Sequence, residues 1–231
     1  ASGDAPTLQP TSAIAPETKF VVLKQFILAD ATQSARLMSF KDFENEYLML
    51  SKLQADNIVK LFDVFIEQRH AFLVLEYLAG GSLRRLVERE GTLSNERVYQ
   101  IAQDVASGLA VLHGQEPPMV HRDVSPENIV LDGTTGAAKL IDFSFVAKAG
   151  NDTEQVVGKQ AYISPEQFRG QIAPRNDVYS LGATLYFALT GDEPAAIAQQ
   201  NPKASNTNVS DALNQLVQRC TDLDGDCRYQ S

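Results

Sequence analysis

An α+β fold in two lobes is predicted by three features of this 231-residue chain. Strand-type runs at residues 18–26 (TKFVVLKQF) and 71–78 (AFLVLEYL) flank a single amphipathic helical segment. The string Ala79-Gly80-Gly81-Ser82 then breaks the pattern, at a place where one lobe could end and another begin. The segment from Leu83 and the stretch from Ser94 to His113 then carry helical periodicity.

Composition bounds the class. With 44% apolar and 21% charged residues the chain reads as an ordinary globular protein, long enough to bury a sizeable core. Twenty Lys and Arg against 29 Asp and Glu give a net charge of -9, which argues against nucleic acid or an anionic membrane as partner. No apolar run approaches the roughly 20 residues needed to cross a bilayer, so no membrane segment is expected within the chain. Cys220 and Cys227 show no CxxC spacing, and a reducing, cytoplasmic setting is expected. Further domains or an anchor beyond either end stay open.

In chain order, residues 1–12 carry Pro, Ser and Gly without periodicity and read as an irregular entry. The strand at 18–26 follows turn chemistry at Ala15-Pro16-Glu17-Thr18 and carries Lys24. Ser39, with Asp42 three residues on, can cap a helix in which Phe43, Tyr47, Leu50 and Leu53 recur on one face and from which Glu46 projects. His70 reads as a turn residue before the next strand. Ser94 can cap a helix running to His113, with Val98, Ile101, Val105 and Leu109 on one face and Gly114 as its stop. This helix leads to Val120-His121-Arg122-Asp123-Val124-Ser125-Pro126-Glu127-Asn128. Ile129-Val130-Leu131, a turn at Asp132-Gly133 and Ala138-Lys139-Leu140-Ile141 form a hairpin ending on Asp142-Phe143-Ser144. Further on stand Ser164-Pro165-Glu166, Asp177 in Asn176-Asp177-Val178-Tyr179, and Arg228. Asp222-Leu223-Asp224-Gly225-Asp226 lacks the spacing of a calcium loop and reads as a solvated turn.

These motifs, in this order and at these intervals, resemble the catalytic domain of eukaryotic-like protein kinases, and residues 167–170 and 184–194 look similar to bacterial Ser/Thr kinases, cyanobacterial ones included. The resemblance implies a protein-kinase-like fold: an irregular segment 1–12, an N-lobe at 13–78 and a C-lobe at 79–231 whose last helix is cut off. It implies transfer of the ATP γ-phosphoryl group to a Ser/Thr hydroxyl of a protein substrate, with ATP and Mg²⁺. Asp123 would take the hydroxyl proton, and Asn128 and Asp142 would hold Mg²⁺. Lys24 would meet the nucleotide phosphates and pair with Glu46, preferred over Glu44 by its spacing to residues 57–61. Val22, Leu75 and Val130 would frame the adenine, and the backbones of Glu76 and Leu78 would bond it. Leu50, Leu61, Phe143 and His121 would form an apolar stack. Asp177 would orient the backbone before Asp123, and Glu166 would pair with Arg228. Arg122 would answer a phosphate on Thr153, unless Asp152 and Glu154 act as permanent anions there.

The chain also departs from the family pattern. No G-x-G-x-x-G precedes Lys24, so the glycine-rich loop is absent or truncated. Val22 replaces a smaller Ala, and Ser144 replaces Gly and makes a backbone flip after Phe143 harder. Ser125 stands where these kinases carry Lys, and Lys159 where they carry Thr. The expectation is a swap, with Lys159 bringing its ammonium toward Asp123 and Ser125 supplying the hydroxyl. The alternative is a pseudokinase, a nucleotide-binding or protein-interaction scaffold that keeps the fold without the transfer.

Overall fold

The structure, a computed structural model, describes residues 20–27, 40–68, 70–151 and 156–231. The irregular entry, the turn at 15–18 and the cap at Ser39 lie outside them, as do Asp152, Thr153 and Glu154. The chain folds into two compact units: one ends at Gln54 and resumes over Val59–Tyr77, and the other comprises Ala55–Ile58 and Leu78–Ser231. The four residues 55–58 join the second unit because Leu140 N–H donates to Asn57 O (2.9 Å) and the Asn57 side chain donates to Ala138 O (3.1 Å). Such long-range pairing leaves no local mark in the sequence.

The first unit contains β1 (Val21–Ile27), α1 (Phe40–Lys52), β2 (Leu61–Glu67) and β3 (His70–Glu76). The strands form an antiparallel sheet in the order β1-β3-β2. His70 is the first residue of β3, paired with Ile27 and Glu67, rather than a turn residue. As the central strand, β3 buries Ala71, Leu73, Val74 and Leu75, residues on both of its faces. Val22 lies opposite Leu75 and Lys24 opposite Leu73, so these side chains share one face. Phe26, two residues further along that face, meets Phe43 of α1 edge-on, with centroids 5.4 Å apart. The helix buries Phe43, Glu46 and Leu50 at three- and four-residue steps. The charge on that face requires a partner.

The second unit opens with β4 (Gly81–Ser82), α2 (Leu83–Glu90) and α3 (Asn95–His113). Ser94 caps α3 by accepting the Arg97 N–H, and Val98, Ile101, Val105, Leu109 and Leu112 line its buried face. β5 (Met119–Val120) pairs with β8 (Ala147–Lys148), bracketing the hairpin of β6 (Ile129–Leu131) and β7 (Ala138–Leu140). The hairpin turn is longer than Asp132-Gly133: Asp132 Oδ1 accepts the N–H groups of Thr134 and Thr135, and Gly136 takes φ +74°. α4 (Pro165–Phe168) and α5 (Pro174–Thr190) follow, then α6 (Pro202–Ser205) and α7 (Asp211–Cys220). α5 is buried almost all round, which marks it as the helix the others pack on, and Gly191 at φ +76° ends it in the left-handed conformation that residues with a Cβ resist. Among the described residues no helix is long and apolar enough to cross a membrane.

Candidate active site

In the first unit the buried carboxylate of α1 is answered from β1. Lys24 Nζ donates to Glu46 Oε1 at 2.8 Å and to Oε2 at 2.9 Å, with Glu46 fully buried. A one-turn change of register in α1 would aim a different side chain at the strand, so helix periodicity and strand alternation together make the pair. Leu50 and Leu61 are buried in the same unit. Glu76 N–H donates to Lys60 O (2.9 Å), so it is not offered to a base. Val22 is 41% exposed and Leu75 is buried.

The second unit carries Asp123, Asn128, Asp142 and Lys159. Asn128 Nδ2 donates to Asp123 O (2.9 Å) and to Asp123 Oδ2 (2.6 Å). The other carboxylate oxygen, Oδ1, is buried and makes no hydrogen bond. Burial raises the Asp123 pKa above the usual carboxylate range. His121, the Asn128 hydrogen bond and Lys159 work against that rise, and Asp142 adds to it. The result is a carboxylate with one oxygen fixed by Asn128 and the other buried without a hydrogen bond.

The segment before Asp123 is held in an uncommon backbone shape. Arg122 has φ +69°, and both carboxylate oxygens of Asp177 are spent on this stretch, Oδ2 accepting His121 N–H and Oδ1 accepting Arg122 N–H, each at 2.8 Å. Asp177 lies in the first turn of α5 and is itself bonded by His113 Nε2 (2.9 Å). His121 is buried edge-on against Phe143 (centroids 5.1 Å), with Nδ1 accepting Asp123 N–H and Nε2 facing Ile141 O. Ile141 N–H in turn donates to Asn128 O, so the hairpin delivers Asp142 beside the loop. In Asp142-Phe143-Ser144 it is Asp142 that takes φ +61°, and Ser144 donates its Oγ–H to Asp142 Oδ1 (2.7 Å). The residue in the glycine position is a hydrogen-bond partner here.

The donor set suits a hard divalent cation. Asn128 spends its amide nitrogen on Asp123, which leaves its oxygen as the atom to face a cation, and Asp142 supplies a carboxylate. Among the described residues no group of three or more His, Cys, Asp and Glu could hold a metal ion. Two oxygen donors fit Mg²⁺, which is usually bound through one or two side chains together with water and phosphate oxygens.

Lys159 goes elsewhere than expected. Its Nζ lies 3.3 Å from Ser125 Oγ, but its ion pair, at 2.6 Å, is with Glu127. Burial opposes the Glu127 charge, yet the hydrogen bond from Lys159 and the positive charges of Lys159 and Arg84 keep its pKa below the usual carboxylate range. Arg84 of α2 is bonded through all three nitrogens: Nε to Glu127 Oε1 (3.1 Å), one terminal nitrogen to Glu193, the other to Tyr162 OH (3.0 Å). Its guanidinium also lies over Phe187, 4.1 Å from the ring centroid. Glu127 and Arg84 were passed over in the sequence. The only local signal was a carboxylate between Ser125 and Asn128. Farther off, Arg228 and Glu166 form a buried bidentate pair, with Nη2 donating to Oε2 at 3.0 Å.

The chain is 32% identical over 208 residues to a Clostridium acetobutylicum protein named probable serine/threonine-protein kinase, covering 82% of this chain and 31% of the relative. It is 39% identical over 157 residues to serine/threonine-protein kinase PknL of Mycobacterium tuberculosis (66% and 39% covered). It is 32% identical over 213 residues to PknB of the same species (82% and 34%). The chain thus spans about a third of the length of the curated relatives it matches. A model of the protein kinase domain matches residues 11–230, and with it the chain belongs to the protein kinase family, its relatives being bacterial Ser/Thr kinases.

Proposed function

We propose that this chain transfers the γ-phosphoryl group of ATP to a Ser or Thr hydroxyl of a protein. The observation that carries the reading is the Asp123 carboxylate, with Oδ2 tied to Asn128 and Oδ1 buried without a partner. The substrate hydroxyl would give its proton to Oδ1 as it attacks. Lys24, aimed by Glu46, would meet the nucleotide phosphates. Val22, Leu75 and Val130 would frame the adenine, with the Glu76 carbonyl and the Leu78 N–H as its partners. Asn128 and Asp142 would hold Mg²⁺, whose charge neutralises that of the phosphates. Arg122 and Thr153 form the proposed phosphate-responsive pair. The free cysteines support a reducing, cytoplasmic setting.

Incubation with γ-labelled ATP, Mg²⁺ and a generic protein acceptor is expected to label Ser or Thr, and chelation of Mg²⁺ to abolish the labelling. Nucleotide binding without any transfer would replace this reading by the scaffold.

Lys159 supports a smaller role. Its ammonium already lies 3.3 Å from Ser125 Oγ, and released from Glu127 it would favour the charge that develops on the transferred group. Lys159→Ala is expected to lower turnover on the order of 10-fold. That is less than for a buried oxyanion donor, because the side chain is 41% exposed and screened by water. A parent-like rate would remove Lys159 from the chemistry.

A further inference from the structure

Arg122, like Asp142, holds a left-handed backbone conformation in the site, and its peptide groups are held from two sides. Asp177 accepts its N–H. Its carbonyl accepts a hydrogen bond from Gln167 Nε2 at 2.7 Å. The same nitrogen donates to Val157 O at 3.0 Å, so a single side chain joins the loop ending on Asp123 to the segment entering Gly158 and Lys159. Gln167 is 2% exposed. Because both neighbours are carbonyls, which only accept, the amide nitrogen must face them. Its Oε1 is left buried without a partner. Burying an unpaired acceptor is unfavourable, and an apolar side chain would avoid it. The two donated hydrogen bonds are therefore what the position requires of glutamine.

The surroundings leave little slack. Gly158 has φ +94°, and a Cβ there would come within 2.8 Å of Arg122 O and 3.4 Å of Asp123 Oδ1. The two backbones cross at near-contact distance directly beside the oxygen that would accept the proton, and Gln167 is the side chain bonded to both. It is well anchored itself. Its N–H donates to Ser164 Oγ (3.2 Å), the neighbouring Glu166 is held by Arg228, and Gln171 N–H returns to Glu166 O (3.0 Å). A backbone in a sparsely populated conformation persists only where its surroundings over-determine it. Here the N–H is held from α5 and the carbonyl from α4.

We propose that Gln167 is a positioning residue: by bonding the carbonyls of Arg122 and Val157 it holds the catalytic loop and the Gly158–Lys159 segment in register, and so keeps Asp123 Oδ1 in place. Its effect on rate rests on the kinase reading, whereas its effect on the backbone does not.

The test is Gln167→Met, which keeps the length and apolar body of the side chain and removes both donated hydrogen bonds. Amide hydrogen exchange followed by mass spectrometry is expected to accelerate about tenfold in peptides spanning 120–128 and 156–160, while 178–189 within α5 keeps its parent protection. Turnover is expected to fall about 10- to 100-fold with the KM for ATP within about twofold, the result of misplacing a reacting group by a fraction of an ångström to an ångström. Unchanged exchange in both peptides overturns the proposal, as does equal acceleration in all three, or a raised KM at parent turnover. If Gln167→Met does not fold, Gln167→Asn keeps the amide on a stem one methylene shorter. It is expected to loosen at least one of the two peptides while α5 stays protected, and parent-like exchange in both would count against the clamp. A parent chain that transfers no phosphoryl group would sink the kinase reading alone, and the exchange comparison would still decide on Gln167.

Discussion

Asp123→Asn is expected to lower phosphoryl transfer by about 10²- to 10⁴-fold. The substitution keeps the shape of the side chain and an oxygen for the Asn128 Nδ2 that now bonds Oδ2 at 2.6 Å, so the loop has no reason to collapse. What disappears is basicity. The amide cannot take the substrate proton, whereas the carboxylate, raised in pKa chiefly by burial, accepts one more readily than an exposed aspartate would. Nucleotide affinity should change little, because the groups assigned to the nucleotide are Lys24, Asn128 and Asp142. Steady-state transfer together with calorimetric titration of nucleotide separates the two effects. Transfer within about threefold of the parent would remove Asp123 as the base.

Arg228→Ala is expected to destabilise the second unit by about 3–5 kcal/mol, the range for breaking a buried ion pair from one side. Arg228 and Glu166 are both buried and bonded through two nitrogens and two oxygens. Removing the guanidinium strands the Glu166 charge. It also strips Asp222 O of its Nε donor (2.6 Å) and empties the face of Tyr179, 5.0 Å from the guanidinium carbon. For a chain of this size the melting temperature should fall by about 6–20 °C. The double variant Glu166→Gln with Arg228→Met should recover part of the loss, since no charge is then left buried alone. Scanning calorimetry of both variants measures this, and a double variant no more stable than Arg228→Ala would show that packing, rather than the stranded charge, sets the cost.

The kinase fold and the residues proposed for its chemistry were legible by resemblance because the family concentrates them in short, ordered motifs. Asp123 and Asn128 are five residues apart on one loop, and Asp142 follows across a hairpin whose alternation and turn residues are local signals. Glu46 could be chosen over Glu44 because its spacing to residues 57–61 matches the family pattern, and its two contacts with Lys24 are what the structure displays. Residues whose importance comes only from distant neighbours were invisible. Arg84 and Glu193 are 109 positions apart, Gln167 and Arg122 are 45 apart, and nothing local in α2 or α4 announces either contact. Lys159 shows the limit most clearly. Its anomaly was readable, but the direction of its ammonium was settled by Glu127, which Arg84 holds from the other side.

Read alone, the amino-acid order predicted strands, helices and hairpins, because hydrophobic period and turn chemistry are properties of neighbours along the chain. The order and spacing of its motifs carried the resemblance to protein kinases, and that resemblance nominated the residues proposed for phosphoryl transfer. Tertiary structure alone decided which carboxylate takes Lys159, which oxygen of Asp123 is left without a hydrogen bond, and that Asp177 and Gln167 grip Arg122 from opposite sides. Those outcomes depend on hydrogen bonds and burial between segments that meet only after folding, where a difference of a few tenths of an ångström selects one partner over another.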